Sequence, residues 1–320
     1  MDKVLFTTDE RISEMILSNV YYVEGQYQTR SWSAEKTYKY VFEVEGGYVE
    51  SGCFIHYVDK GMTQYTEHVI ELSSSIGCAM RCAFCASSDI KKIRTLTAQE
   101  IFDIFYYIYQ DKVPRFPDST RIVVSFLGIG DLFYTIESVL AAMEMIFRID
   151  HRILFNLSSC FWTPEMLKKV EAFSLVDNIK TIQITYISAK PEITKRHIPG
   201  LSKFSFTFKK IIADMVSAFP QRKIRINYLV IKDVNDSSED FYMFANMLKG
   251  MESRVFVRIS KLNTTVAANT NNLFPPDVSQ MTELMKILQG ANIEAYLFYS
   301  YQNDKMNCGQ LITEGGISVG

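Results

Sequence analysis

A chain of 320 residues with 48% hydrophobic and 22% charged side chains has an ordinary globular balance, enough for one large α/β domain or two smaller ones. A net charge of −2 and a pI near 6.1 give no general attraction to phosphate, which argues against obligatory nucleic-acid binding but leaves room for a local basic patch. The opening MDKVLFTTDERISEMIL lacks the basic start and apolar run of a signal peptide, and no apolar stretch reaches the length of a membrane span. A cytoplasmic protein without a membrane partner is expected, and there clustered cysteines point to metal or catalysis before disulfides.

In chain order, residues 1–35 read as an N-terminal segment made of a short amphipathic helix and a polar connection. Residues 36–70 form a small β extension. Its strands YKYVFEVEG and YVESGCFIHYV meet at Gly46-Gly47 as in a hairpin, and HVIELSS follows. From 71 to 320 the chain alternates. Thr97-Ala-Gln-Glu100 is a capping box that opens the helix IFDIFYYIY. The apolar runs RIVVSFLGIG, ILFNLSS, TIQITYIS, KIRINYLVI, RVFVRISKL and EAYLFYS then alternate with helical patterns such as IESVLAAMEMIF and DVSQMTELMKILQ. This order predicts an α/β fold with a parallel sheet: a partial (β/α)6-type TIM-like barrel with a small N-terminal β-hairpin extension. An open doubly wound sheet is the alternative. In a barrel, functional residues gather at the C-terminal ends of the strands.

One such end carries SSSIGCAMRCAFCASSDI. Three of the six cysteines fall there, as Cys78-x-x-x-Cys82-x-x-Cys85. Structural zinc usually takes four closed ligands, often from two Cys-x-x-Cys pairs, and no partner pair follows downstream. Three thiolates on one short loop suit an iron–sulfur cluster with one iron left open.

With Phe84 before its last cysteine, the motif resembles that of the radical S-adenosylmethionine (SAM) superfamily. The flanks resemble the RlmN/Cfr family of RNA adenosine methyltransferases. LGIGD (Leu127 to Asp131) stands where the family has Gly-Glu-Pro, and LSS (Leu157 to Ser159) where it has Leu-Ser-Thr. PEITKRHIP, VND, Asn263 and the C-terminal NCGQL (Asn307 to Leu311) follow in the family's order, over roughly residues 36–320. The resemblance implies a 4Fe-4S cluster on Cys78, Cys82 and Cys85, with SAM as the second cofactor. Cofactor contacts would come from Phe84, Gly130, Asp131, Ser158, Thr185 and Asn263. It further implies that Cys308 carries a methyl group, that Glu50 accepts a proton, and that a flavodoxin or ferredoxin supplies electrons. In such chemistry the methylated cysteine becomes a carbon radical that adds to an sp2 carbon, a centre closed to simple displacement.

Each residue also has an ordinary reading. Gly128 and Gly130 suit a tight turn, Ser158 and Ser159 a helix cap, Asn263 a loop, and Glu50 a solvated hairpin charge. Cys308 by itself suits a small core residue as well as a reactive thiol.

The chain departs from the family in several places. Glu71 stands where the family has the cysteine that resolves the covalent adduct; Cys160 and Cys53 are candidate substitutes, though both fit packed structural positions. Thr185-Tyr186-Ile187 replaces Ser-Leu-His, and Leu132 replaces the proline of Gly-Glu-Pro. The accessory N-terminal domain of RNA-acting members has no counterpart in the segment before residue 36. The basic clusters at Lys91–Arg94, Lys195–His197 and Gln221–Arg225 read as solvated faces. A small molecule or peptide is therefore the favoured substrate, with RNA still compatible. Two other readings stay open: Cys308 as a hydrogen-atom donor, and a non-catalytic iron–sulfur or zinc protein.

Overall fold

The computed structural model describes residues 3–8, 11–28, 32–59, 64–113, 121–298 and 309–311. Five strands open the chain: β1 (Lys3–Thr8), β2 (Arg11–Gln28), β3 (Trp32–Val44), β4 (Gly47–Asp59) and β5 (Gln64–Glu71), each antiparallel to the one before. The loop after β5 holds a two-residue ladder between β6 (Ser75–Ile76) and β7 (Arg94–Thr95). Then come α1 (Ala98–Lys112), β8 (Arg121–Ser125), α2 (Leu132–Ile149), β9 (Leu154–Ser159), α3 (Pro164–Glu171) and β10 (Ile179–Tyr186). The remainder is α4 (Pro191–His197), α5 (Phe208–Ala218), β11 (Ile224–Val230), α6 (Ser238–Met247), β12 (Val255–Lys261), α7 (Val266–Thr270), α8 (Val278–Gly290) and β13 (Ala295–Phe298).

Apart from β6 and β7, the strands form one eleven-stranded sheet in strict chain order. From β5 onward every neighbour is parallel. A doubly wound sheet reverses its order midway, whereas a (β/α) barrel winds in sequence. The observed order is therefore the barrel type, and β13 pairs with β12 alone among the described residues.

The hairpin at Gly46-Gly47 is present, with Val44 paired to Gly47 across Glu45 and Gly46. Gly46 has φ +92°, a region open to glycine at little cost. The capping box is present as well: Thr97 accepts the Glu100 amide and the Glu100 carboxylate accepts the Thr97 amide. The helix expected near the N-terminus is not formed; β1 and β2 occupy that stretch. The run NVYYV (Asn19 to Val23) is β-branched and aromatic, and pairing with β3 supplies hydrogen bonds that no isolated short helix could match.

Helices cover one face of the parallel strands. In α1, Ile101, Ile104, Phe105 and Ile108 repeat at helical spacing and are buried. Truncating Ile104 to Ala would cost about 2–5 kcal/mol in such a position. In β11, Ile224, Ile226, Tyr228 and Val230 are buried on this side, while Arg225, Asn227 and Leu229 turn the other way and line an internal cavity.

Candidate active site

The cysteine loop leaves the C-terminal end of β5, and the loop after β8 fixes its path. Ser74 donates its amide to the Ile129 carbonyl at 2.8 Å, and the Ser73 hydroxyl accepts the Ile129 amide at 2.9 Å. Gly130 packs against these serines so closely that a Cβ would meet Ser74 Oγ at 2.4 Å, and its φ is +120°. Glycine is required there by space and by backbone.

Within the loop, Arg81 has φ +52° and closes it internally. Its guanidinium donates to the carbonyls of Ser88 (2.5 Å), Ile90 (3.2 Å) and Lys91 (3.3 Å). Other segments hold the loop from outside. Ala83 donates to the His197 carbonyl at 2.9 Å, and Gly200 donates to that of Met80 at 2.9 Å. Thr265 Oγ1 donates to the Phe84 carbonyl at 3.0 Å, and Asn271 Nδ2 to that of Ala83 at 3.0 Å. Ala86 donates to the Gly309 carbonyl at 2.8 Å, which ties the C-terminal Gly-Gln-Leu to the same loop.

Cys78 and Cys82 are buried, Cys85 is half-buried, and all three border one cavity of about 810 Å3. Burial, with Asp131 and Cys85 nearby, pushes the Cys78 thiol well up; Cys82 is pushed up to about 11, burial and the neighbouring Cys78 outweighing the lowering effect of a hydrogen bond with Cys160. Free thiols so placed would stay protonated. Coordination to iron reverses this, because a ligating thiol is deprotonated outright. No three His, Cys, Asp or Glu side chains among the described residues gather tightly enough for a single metal ion. A cubane places each thiolate on a different iron and so needs a wider set. A loop of three soft donors, anchored on several sides and facing a roomy cavity, fits a four-iron cluster together with a cofactor on its open corner.

The cavity gathers the expected cofactor contacts. Phe84, Gly130, Asp131, Ser158, Thr185 and Asn263 all border it. Asp131 caps α2 by accepting the Phe133 amide at 2.9 Å, and it also accepts the Ser159 hydroxyl and the Cys160 amide. Burial still raises its pKa, against the pull of those donors. Ser158 accepts from Gln183 Nε2 at 2.7 Å, and the cap of α3 is Thr163 rather than either serine. Glu50 is only 2% exposed and faces Lys39 Nζ at 3.7 Å, so the solvated-hairpin reading fails for it. Glu71 borders the same cavity near Lys39, Arg258 and Glu50, and burial raises its pKa. Cys308 lies outside the described residues. Its neighbour Gly309 borders the cavity, Gln310 Nε2 donates to the Thr264 carbonyl at 2.7 Å, and Leu311 packs with Ala86 and Ile129.

Of the two candidate substitute cysteines, only Cys160 borders the cavity, and its thiol shares a hydrogen bond with Cys82. Cys53 is buried in the core, its thiol pushed up to about 12 by desolvation. Sequence reasoning missed the polar interior of the barrel: Asn156, Arg225, Asn227, Arg258 and Ser260 all line it. Arg225 was grouped with a surface charge run, yet its alternation with Ile224 and Ile226 turns it inward. The available signal was a polar residue at every second position of LFNLSS, TIQIT, IRIN and FVRIS, on the face away from the helices.

Comparison with known proteins agrees with this geometry. No protein-family profile matches the chain. It is 26% identical over 284 residues to a probable dual-specificity RNA methyltransferase RlmN of Alkaliphilus metalliredigens, an alignment covering 86% of this chain and 74% of that protein. A counterpart from Pseudothermotoga lettingae is 28% identical over 286 residues, covering 87% and 76%. Against the Campylobacter concisus RlmN the identity is 25% over 232 residues, and the chain spans only 60% of that protein's length. Among solved structures, a radical SAM methyltransferase from Sphaerobacter thermophilus superposes with a TM-score of 0.71 over 92% of this chain and 82% of the other, at 20% identity, a likeness of fold.

In fold, cysteine loop and relatives the chain is similar to radical SAM methyltransferases. Its cofactors are a 4Fe-4S cluster and SAM. It resembles the RlmN/Cfr methyltransferases in particular, and it is an enzyme of the methyltransferase kind.

Proposed function

We propose that the enzyme methylates an sp2 carbon of its substrate, with Cys308 as the methyl carrier. The observation that carries this reading is the hydrogen bond from Ala86 to Gly309, beside Cys308 in sequence: the cysteine loop and the C-terminal motif meet at one cavity. Cys78, Cys82 and Cys85 would hold the cluster, and Phe84, Gly130, Asp131, Ser158, Thr185 and Asn263 would surround the SAM. When bound, these cofactors supply a 5′-deoxyadenosyl radical, the hard step that no side chain can perform.

The chain's own residues do the rest. The sulfur of Cys308 would take up a methyl group from one SAM, leaving S-adenosylhomocysteine, and after loss of a hydrogen atom that carbon would bond to the substrate. A second thiol, for which Cys160 at the cavity is the candidate, would then displace the carbon from the Cys308 sulfur by forming a disulfide as one electron leaves the site. Glu50, buried beside Lys39, accepts the proton that leaves the adduct. The barrel wall excludes water from carbon-radical chemistry. A flavodoxin or ferredoxin type of donor delivers the electron, and the reaction takes place in the cytoplasm. The substrate is a small molecule or peptide, or an RNA, the class printed in the relatives' names, with an adenosine as the target that the family resemblance implies.

The test is mass analysis of the Cys308 peptide after anaerobic incubation of reconstituted protein with SAM. A gain of one methylene is expected. An unmodified thiol alongside continued SAM cleavage would overturn the carrier role. Glu71, standing where the family has its resolving cysteine, favours a second reading in which Cys308 donates a hydrogen atom. Solvent deuterium in a product without added carbon would identify that case.

A further inference from the structure

Most charged groups facing the cavity are already paired. Glu50 faces Lys39, Glu67 binds Lys180, and Glu294 meets Lys223 at 2.7 Å. Arg225 and Arg258 are different. They lie on adjacent strands, where Asn227 is in register with Arg258, and both point into the cavity. Glu67 and Glu71 act on Arg225 and Arg258 respectively from a distance, but neither arginine makes a salt bridge within 4.0 Å to a carboxylate among the described residues. Arg258 Nε donates to Asn227 Oδ1 at 2.9 Å, and its guanidinium stacks on the Phe298 ring 4.1 Å away. Arg225 is hydrogen-bonded to Tyr296, but its Nε is buried without a partner. One more orphaned atom of the same wall, Asn156 Oδ1, is an acceptor.

Two adjacent guanidiniums repel one another, and burial adds to the cost. Arg225 is pulled down to about 10 by desolvation, with Arg258 contributing. Such an arrangement is sustained when an anion completes it, because a guanidinium fork matches a carboxylate or phosphate in shape and charge. Unpaired buried polar atoms are rare in finished proteins and mark where a ligand supplies the missing half. Arg225 sits near the start of β11, at the end of the barrel away from the cysteine loop, so the anion would anchor the substrate's far end.

We infer that Arg225 and Arg258 form an oxyanion-recognition site that selects substrates carrying a carboxylate or phosphate group, with Asn156 accepting a hydrogen bond from the same molecule. This rests on the proposed role of the cavity as the substrate chamber. It favours a small acidic molecule over an RNA base, since a nucleotide entering base first would leave its phosphate near the mouth.

The test uses anaerobically reconstituted holoprotein with inorganic phosphate and succinate as separate probes, read by calorimetry. At least one probe should bind, and Arg225→Gln or Arg258→Gln should weaken it by about tenfold to a hundredfold, the usual effect of losing one charge-assisted contact. Lys209→Gln, on the exposed face of α5, should change nothing. The stronger probe tells carboxylate from phosphate. Should a variant fail to fold, phenylglyoxal labelling of the wild type replaces it: the winning anion should slow modification of Arg225 and Arg258 several-fold, but not that of exposed Arg196. The assignment falls if neither anion binds or protects, if the variants bind as wild type does, or if an RNA oligonucleotide is bound equally well by wild type and both variants. The chamber reading fails separately, if the holoprotein forms no 5′-deoxyadenosine.

Discussion

Asp131 Oδ1 accepts the Ser159 hydroxyl at 2.6 Å, so a single carboxylate joins the loop after β8 to the end of β9. Its second oxygen takes the Cys160 amide at 2.9 Å. Asparagine offers one acceptor oxygen where aspartate offers two. Asp131→Asn keeps an acceptor for the cap of α2 but turns an amide NH2 towards the Cys160 N–H. It should destabilise the protein by about 1–2 kcal/mol, the scale of one lost buried hydrogen bond, with a matching fall in the denaturant midpoint. It should also weaken SAM binding, measured by equilibrium dialysis. Unchanged SAM affinity in a destabilised variant would leave Asp131 a purely structural role.

The three loop thiols are expected to fail one by one. Replacing Cys78, Cys82 or Cys85 with Ala should abolish the brown iron–sulfur absorbance and reduce 5′-deoxyadenosine formation by more than about 100-fold, since even indirect metal partners cost 10–100-fold. Full activity in any one of the three would remove that thiol from the ligand set.

Arg81 combines an unfavourable backbone with three carbonyl contacts. Left-handed backbone at a non-glycine residue costs about 1–2 kcal/mol. Its retention here means that the staple offsets the strain. Arg81→Gly should relieve the strain yet free the loop, so that iron is lost to a chelator several-fold faster while global stability changes little. An equal drop in global stability would show instead that the loop is part of the cooperative core.

Two buried groups should give opposite pH signatures. Asp103, buried on α1, is raised to about 6 from 3.8 by desolvation. The folded chain holds this proton more tightly than the unfolded one, so stability declines as pH rises from about 4 to 6, and the penalty persists above that. Asp103→Asn should raise Tm at pH 7.5 by about 2 °C and remove this decline. His68 is lowered to about 4 from 6.5 by desolvation. Its contribution is lost as pH falls through the same window, and His68→Leu should flatten that slope. Thermal melts from pH 4 to 8 on both variants separate the two effects.

The parallel strands were legible because each is a short apolar run between turn signals, and α1 because Thr97 and Glu100 cap it reciprocally. The spacing of Cys78, Cys82 and Cys85 marked a loop whose thiols the fold brings to one cavity. Other features depend on distant partners. Glu50 is buried because Lys39, on the neighbouring strand, faces it, and no local pattern around YVESG records that pairing. The β2 strand read as helix because its first residues carry helical spacing, while the pairing that decides the matter comes from β3. Arg225 and Arg258 meet on one face only through the register of β11 and β12, which sets them at diagonal positions.

The hinge of the whole sheet is β5, antiparallel to β4 on one side and parallel to β8 on the other. Removing the strands before it would leave its amides and carbonyls as a bare rim, the template on which chains stack into aggregates. The cysteine loop springs directly from that rim. The N-terminal meander thus guards solubility and cofactor retention together, and shortening it would compromise both at once.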